Sequence, residues 1–327
     1  MIYIIGFSLF ISYLVHVIKH KFMKTNEGVP FILRMDNHSI EVKYPNKVYW
    51  KEPKTNKLEL VRYYEKISAY MMPYLINRPV TLHYYPRGID KISFYKRDFK
   101  QPIPGLIDTF PYKEISQDKT INVPVIASKA GLVYLAAKGC VEFHTWASQI
   151  TDVQHPSWAI FDLDITTDVD FEWVLDGAYK INQFLSSLHI QSFAKTSGET
   201  GIHIYVPIKR GYDFAFVKNW VKTVGSIMQN KYPEIFDLPQ KGNKTHNTQK
   251  IVIDYMQNTI TRNTASVYTV RANSSPTVST PVSWDEVLNK SFKPTDFNIF
   301  TVPKRIEKKG DLFKDLLILE QELPELS

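Results

Sequence analysis

Two aspartates, Asp162 and Asp164, sit at the end of the apolar run WAIFDLD, residues 158–164. A run this short and this apolar predicts a buried strand. Alternate residues of a strand point to one face, so both carboxylates project together while Leu163 between them faces the core. Two like charges this close repel unless a cation lies between them, and Mg²⁺ and Mn²⁺ take oxygen ligands of this kind. Asp254 closes a second apolar run, Ile251, Val252 and Ile253. A carboxylate ending one core strand beside two ending another fits a two-metal phosphoryl-transfer site. Each residue also has a plainer use: a D-x-D pair serves at a solvated strand end or as a cap, and a strand-end aspartate caps the following turn.

Between these runs lies KTSGETGIH, residues 195–203. Gly198 and Gly201 permit positive φ and let backbone N–H groups approach an anion. Ser197 and Thr200 add hydroxyls, and His203 opens the strand that follows. Taken alone the segment reads first as a plain glycine-rich hairpin, and only secondly as a phosphate cradle.

The elements that must position these groups follow from periodicity. Residues 40–50 alternate and predict a strand or extended arm. Residues 56–76 predict a helix, with Leu60, Val61, Tyr64, Ile67, Met71, Met72 and Leu75 recurring at three and four. Residues 80–85 and 93–96 form an expected strand pair, 101–112 a proline-containing loop and 130–148 a helix. After the strand at 158–163, Thr167 or Asp168 is the expected cap of a helix. Its apolar stripe runs through Phe171, Val174, Leu175, Ala178, Ile181, Phe184, Leu185 and Leu188. Strands at 190–195 and 202–206, a helix at 213–229, a basic polar loop at 231–250 and a strand at 250–255 complete the pattern. Strands and helices mix without strict alternation, which predicts an α+β fold with a mixed sheet rather than a doubly wound parallel one.

The 327 residues, 44% of them hydrophobic, suffice for one large domain or two coupled lobes. A formal net charge of +7 favours polyanionic partners such as nucleic acid, although many basic proteins bind none. Cys140, the single cysteine, excludes an intramolecular disulfide and a cysteine-based zinc site, and fits a reducing cytoplasmic setting. Residues 1–18 carry no Lys, Arg, Asp or Glu, and Lys19 and Lys21 follow. They read either as a membrane anchor that leaves the rest in the cytoplasm, or as a stretch ahead of a true start at Met23. The expected division is an apolar segment at 1–22, a catalytic domain at 38–305 and a tail at 306–327.

Taken in order, D-L-D (162–164), KTSGETGIH, DYMQN (254–258) and SVYTVRANSSPTVSTPVSWDEV (266–287) resemble the polymerase domain of bacterial ligase D. That domain belongs to the archaeo-eukaryotic primase superfamily and serves non-homologous end joining. The resemblance runs from about residue 40 to about residue 300. It implies a primase-polymerase fold, with an RRM-like catalytic core and a smaller N-terminal α/β lobe. It further implies a DNA-dependent nucleotidyltransferase that fills gaps and extends ends at breaks, using two divalent cations (Mn²⁺ or Mg²⁺) and NTP or dNTP, with a preference for ribonucleotides. By resemblance Asp162, Asp164 and Asp254 hold the metals. His144, Ser197, Thr200, His203, Gln257 and Arg271 fall at the nucleotide. Lys47 and Lys57 match a pair that holds the 5′-phosphate of gapped duplex DNA, and Phe94 and Tyr95 match an aromatic pair that stacks on template bases. A DNA ligase and an end-binding protein are implied as separate partners.

Several positions depart from the family pattern. Thr200 stands where a lysine is usual, Asn247 beside His246 where a basic residue is common, Tyr44 where asparagine is frequent, and His83 and Tyr84 where a basic pair lies near the template. These losses keep two other readings open: a DNA-end-binding module with weak catalysis, and a metal-dependent nuclease using the same acidic cluster.

Overall fold

In this computed structural model, residues 29–114, 118–165, 170–239 and 249–326 are described. The apolar segment 1–22, Met23, the expected caps Thr167 and Asp168, and His246 and Asn247 lie outside the described residues. Along the chain come β1 (Phe31–Met35), β2 (His38–Val42), β3 (Val48–Trp50), β4 (Thr55–Asn56), α1 (Lys57–Leu75), β5 (Val80–Tyr84), β6 (Phe94–Lys96), β7 (Ile107–Glu114) and β8 (Lys119–Ile126). Then follow α2 (Lys129–Ala137), β9 (Cys140–Trp146), β10 (Ser148–Gln149), β11 (Asp152–Pro156), β12 (Trp158–Ile165), α3 (Phe171–Ser187), β13 (Phe193–Thr196), β14 (Ile202–Pro207) and α4 (Phe214–Lys231). The last elements are β15 (Phe236–Asp237), β16 (Ile251–Asp254), β17 (Asn263–Ala265), β18 (Pro281–Val282), α5 (Trp284–Leu288) and α6 (Val302–Lys309).

Two sheets carry the fold, which is α+β. The larger has the order β15-β16-β12-β14-β13-β18; it is antiparallel except where β15 runs parallel to β16, so it is mixed as expected. The smaller has the order β17-β9-β5-β6. In β12 the alternation is strict: Ala159, Phe161 and Leu163 are fully buried on one face, where Phe161 meets Trp220 of α4 edge-on at 6.0 Å. The opposite face, with Ile160, Asp162 and Asp164, turns toward the smaller sheet. There the Tyr205 hydroxyl of β14 hydrogen-bonds Thr264 Oγ1 of β17 at 2.8 Å. Burying each of these large apolar side chains contributes about 1.5–3 kcal/mol, which is why the central strand cannot slip register without losing its core face.

The helices begin where their caps allow. Asn56 caps α1 in a reciprocal box with Glu59. Asp213 caps α4 by accepting from Phe216 N. Asp170 caps α3 through Glu172 N, so the cap falls later than the threonine or aspartate expected for it.

Two expectations about elements need correction. Residues 130–148 are not one helix: α2 stops at Ala137, Gly139 takes φ +97°, and residues 140–146 become the wholly buried strand β9. The glycine ends the helix, and pairing on both sides with β5 and β17 overrides the local helical pattern. His144 therefore lies on a strand. The expected loop at 101–112 contains most of β7, whose Pro111 is tolerated in a two-stranded hairpin with β8. Toward the C-terminal end, Phe313 and Leu316 are buried in the common core. Among the described residues no helix is long and apolar enough to cross a membrane.

Candidate active site

Strand β12 organises the site. Asp162 pairs with Asp254 of β16 on one side and with His203 of β14 on the other. Asp164 lies one pleat farther along the same face, at the rim. The three aspartates thus share one end of one sheet face. Asp254 also has the plainer use: Oδ1 accepts from Met256 N at 2.9 Å, and Oδ2 from the Gln257 side-chain amide at 3.4 Å. This places Gln257 beside the cluster.

The electrostatics of the three carboxyls differ. Asp162 Oδ1 lies 3.0 Å from His203 Nε2, but the approach lacks hydrogen-bond geometry and this buried oxygen has no hydrogen-bond donor. Burial works to raise the Asp162 carboxyl; the charges of His203, Lys195 and Arg271 outweigh it and hold the group below its usual range. Asp164 moves the other way. It stands at the exposed rim beside Gly201 of the hairpin, its carboxyl still partly desolvated. That desolvation, with the charges of Asp162, Asp254 and Glu199, pushes its carboxyl up to about 7. A buried oxygen without an aligned donor, beside a carboxyl pushed toward protonation, is relieved by a divalent cation, and an all-oxygen donor set suits Mg²⁺ or Mn²⁺.

The hairpin between β13 and β14 closes over this end. Ser197 Oγ accepts from Glu199 N at 3.1 Å and from Gly201 N at 3.0 Å, so its hydrogen is still available to a phosphate oxygen. Gly198 has φ +81°, and a Cβ there would stand 2.5 Å from Arg271 Cγ and 3.0 Å from Ser279 N. Only glycine fits between the turn and the arginine. Thr200 is exposed near the tip.

Arg271 ties the two sheets together. Its Nη1 donates to Ser197 O at 2.8 Å, its Nη2 pairs with Glu199 at 2.8 Å, and its Nε reaches Glu142 Oε1 at 3.4 Å. Glu142 lies on β9, two residues before His144, whose Nε2 is 2.8 Å from Glu142 Oε2. Burial opposes the Glu142 charge, but hydrogen bonds from His144 and His83, together with Arg271, hold its carboxyl far below the usual range. Burial lowers His144 despite the glutamate beside it.

Lys195 is fully buried behind the aspartates. Its Nζ donates to Ser279 Oγ at 2.5 Å and lies 2.9 Å from His203 Nδ1. When Lys195 is charged it only donates, so His203 Nδ1 accepts and the ring proton sits on Nε2, on the Asp162 side but out of line with Oδ1. Burial, with Arg271, lowers Lys195 well below its ordinary value, and burial lowers His203 as well.

Of the remaining expected residues, Lys47 and Lys57 lie at the start of α1, while Tyr95 borders the site with its ring 6.2 Å from that of His144. Lys57 is the first residue of α1, 7% exposed, with Nζ donating to Lys43 O at 3.1 Å. Burial and the charges of Lys47 and Lys138 lower it to about 8. Lys47 Nζ is 5.2 Å from the Tyr44 ring centre. Tyr44 has φ +54°, a left-handed conformation that asparagine adopts more readily than tyrosine. Phe94 and Tyr95 are 48% and 61% exposed on β6, so they are not core aromatics. Phe94 stacks on Tyr84 at 5.3 Å and Tyr95 on His83 at 3.8 Å.

Sequence reasoning missed Lys195, Glu142, Glu199 and Lys138. Glu142 was legible: once residues 140–146 are read as a strand, it shares a face with His144. Lys195 and His203 occupy matching positions on either side of the hairpin, and their pairing follows once the register is known.

A family model described as the LigD primase-polymerase domain matches residues 56–313. The chain is 25% identical over 274 residues to a multifunctional non-homologous end joining protein LigD of Mycolicibacterium smegmatis, covering 83% of this chain and 35% of that protein. It is 28% identical over 280 residues to a bifunctional non-homologous end joining protein LigD of Bacillus subtilis, covering 85% and 44%. The chain therefore spans less than half the length of these relatives. The solved polymerase domain from Mycobacterium tuberculosis ligase D, in complex with DNA, superposes with a TM-score of 0.76 at 22% identity, covering 85% of this chain and 97% of that one.

Proposed function

The chain belongs to the LigD primase-polymerase domain family, and from that premise we propose that it is a DNA-dependent nucleotidyltransferase acting at the ends and short gaps of broken DNA. One observation carries the reading: three aspartates in register across β12 and β16, closed over by a hairpin that Arg271 locks. Asp162, Asp164 and Asp254 would hold two divalent cations. The chemistry such cations supply is activation of a primer 3′-hydroxyl and neutralisation of a departing pyrophosphate. The Arg271 fork, the Ser197 hydroxyl and the His144 ring converge from both sheets on the space beside those carboxylates, where a triphosphate needs donors. Gln257 and His203 position the aspartates they touch, and Thr200 faces the nucleotide side with a hydroxyl in place of a charge. The exposed Phe94 and Tyr95 offer a stacking platform for template bases, which binds without demanding sequence. Ribonucleotide preference is part of the proposal, as are a cytoplasmic setting and a DNA ligase and an end-binding protein as partners.

A nuclease has no need of a triphosphate clamp, and Arg271, Ser197 and His144 favour polymerisation over it. Incubating the full chain with a 5′-phosphorylated gapped duplex, Mn²⁺ and labelled NTPs separates the readings. Primer extension is the expected result. Shortening of the primer would favour a nuclease, and binding without either change would favour an end-binding module.

Glu199 sits on Arg271 in a loop where the family carries a lysine one residue later. An incoming triphosphate must displace that carboxylate. Glu199→Gln is therefore expected to lower the KM for NTP by about three- to tenfold, the ~1 kcal/mol scale of a half-exposed ion pair, with kcat little changed. Steady-state kinetics would reveal an unchanged or raised KM if Glu199 does not compete.

Lys47, Lys57 and Lys138 crowd the N-terminal end of α1, where the helix dipole further favours an anion. Lys57 is charged below about 8 and neutral above it. The affinity gained from a 5′-phosphate is thus expected to be full near neutral pH and to fall as pH rises past the lysine's range, which phosphate binding itself extends upward. Titrating gapped duplexes with 5′-phosphate and 5′-hydroxyl ends across that pH span checks the sign; a difference that is flat or grows with pH excludes Lys57 from the contact.

A further inference from the structure

We propose that His83, Glu142 and His144 form a second cation site, selective for zinc-like ions and separate from the three aspartates. Glu142 and His144 are alternate residues of β9, and His83 lies opposite Glu142 in the antiparallel register with β5. All three side chains therefore meet on one sheet face. His83 Nδ1 is 3.1 Å and His144 Nε2 2.8 Å from Glu142 Oε2, and the three ligand atoms lie within 4.8 Å of one another. Zinc bonds of about 2.0–2.2 Å place tetrahedral ligand atoms roughly 3.3–3.5 Å apart. Opening the shorter of these contacts to that spacing takes about half an ångström.

The outer atoms are already held. His83 Nε2 lies 3.2 Å from Ser93 Oγ, and Glu142 Oε1 accepts from Ala272 N at 2.7 Å. Outer bonds of this kind fix ring orientation and direct the inner lone pairs to a metal. Tyr95 stacks on His83 and shields it, while the Tyr85 hydroxyl, 3.2 Å from His83 Nδ1, flanks the remaining side. Two imidazoles and one carboxylate select Zn²⁺, Co²⁺, Ni²⁺ or Cu²⁺ over Mg²⁺ and Mn²⁺. The nearby Arg271 charge opposes a cation there, and Glu199, paired with that arginine at 2.8 Å, offsets it.

The consequence rests on the proposed function, in which His144 meets the triphosphate. An ion at this site holds His144 against Glu142 and away from the nucleotide, so nucleotide addition becomes zinc-sensitive and zinc competes with NTP.

The test uses tag-free full chain titrated with Co²⁺, whose visible d–d bands are strong in four- or five-coordinate sites with nitrogen ligands and weak in octahedral all-oxygen sites. Bands are expected in the wild type and in Asp162→Asn, are expected to vanish in His83→Gln, and are expected to be displaced by one equivalent of Zn²⁺. Ser93→Ala, which removes only the outer bond, is expected to weaken Zn²⁺ binding about tenfold. No bands in the wild type, or bands lost in Asp162→Asn and kept in His83→Gln, would overturn the site. Anomalous diffraction at the zinc edge from wild-type crystals needs no variant: a peak among the three side chains supports the site, and peaks only at the aspartates refute it. In the extension assay, zinc inhibition is expected to be relieved in His83→Gln. Cobalt bands without any nucleotide addition would sink the polymerase reading and leave the metal site standing.

Discussion

Asp162→Asn is expected to reduce nucleotide addition by at least about a thousandfold, equivalent to ~4 kcal/mol of transition-state stabilisation. Asp162 is the central carboxylate, paired across the sheet with Asp254 and His203 together. The amide keeps the shape and replaces one anionic oxygen by a donor pointed at whatever cation the cluster holds. The same change removes a carboxylate that the charges of His203, Lys195 and Arg271 stabilise, so the fold is expected to be retained with a modestly lowered thermal midpoint. Retained fold and retained gapped-duplex binding, with primer extension lost, place Asp162 in the chemistry. Extension at near wild-type rate would remove the aspartate cluster from the mechanism altogether.

Lys195→Met is the second large effect, and its interest lies in the sign of the stability change. A fully buried lysine with no carboxylate in direct contact is costly, because burial penalises its charge. Methionine fills a similar volume without that cost, so the thermal midpoint is expected to hold or rise. Turnover is expected to fall about ten- to a hundredfold, the scale set by small misplacement of reacting groups. The route is indirect: Lys195 fixes the tautomer of His203, and His203 Nε2 faces Asp162 at 3.0 Å. Lys195 is thus a positioning residue. The discriminating readout is a split in kinetics: kcat down and half-saturating Mn²⁺ up, with KM for NTP within about twofold. A fall in thermal midpoint that accounts for the lost activity would assign Lys195 a structural role only.

The fold was legible where a pattern is local. The strand 158–163, helix α1 from its capping asparagine onward, the stripe of α3 and the hairpin around residues 197–201 all announce themselves through period, cap or glycine. Residues 130–148 were misread because alanine and leucine favour a helix locally. Only the places beside β5 and β17 make residues 140–146 a strand. That one error hid Glu142, since on a helix it does not share a face with His144.

The three aspartates mark the boundary between the two kinds of information. Sequence by itself determined that Asp162 and Asp164 point the same way, because strand geometry has a period of two, and that each aspartate closes an apolar run. It left the distance between Asp162 and Asp254, residues far apart in the chain, open. Tertiary structure decided that they stand opposite each other, because the register of β12 and β16 is fixed by burying Leu163 and Ile253 together on the core face. It likewise decided that Arg271 reaches the hairpin, that Lys195 lies behind His203, and that desolvation with the charges of Asp162, Asp254 and Glu199 pushes Asp164 up to about 7. Charges and donors act through distance, and distance between remote residues is set by packing.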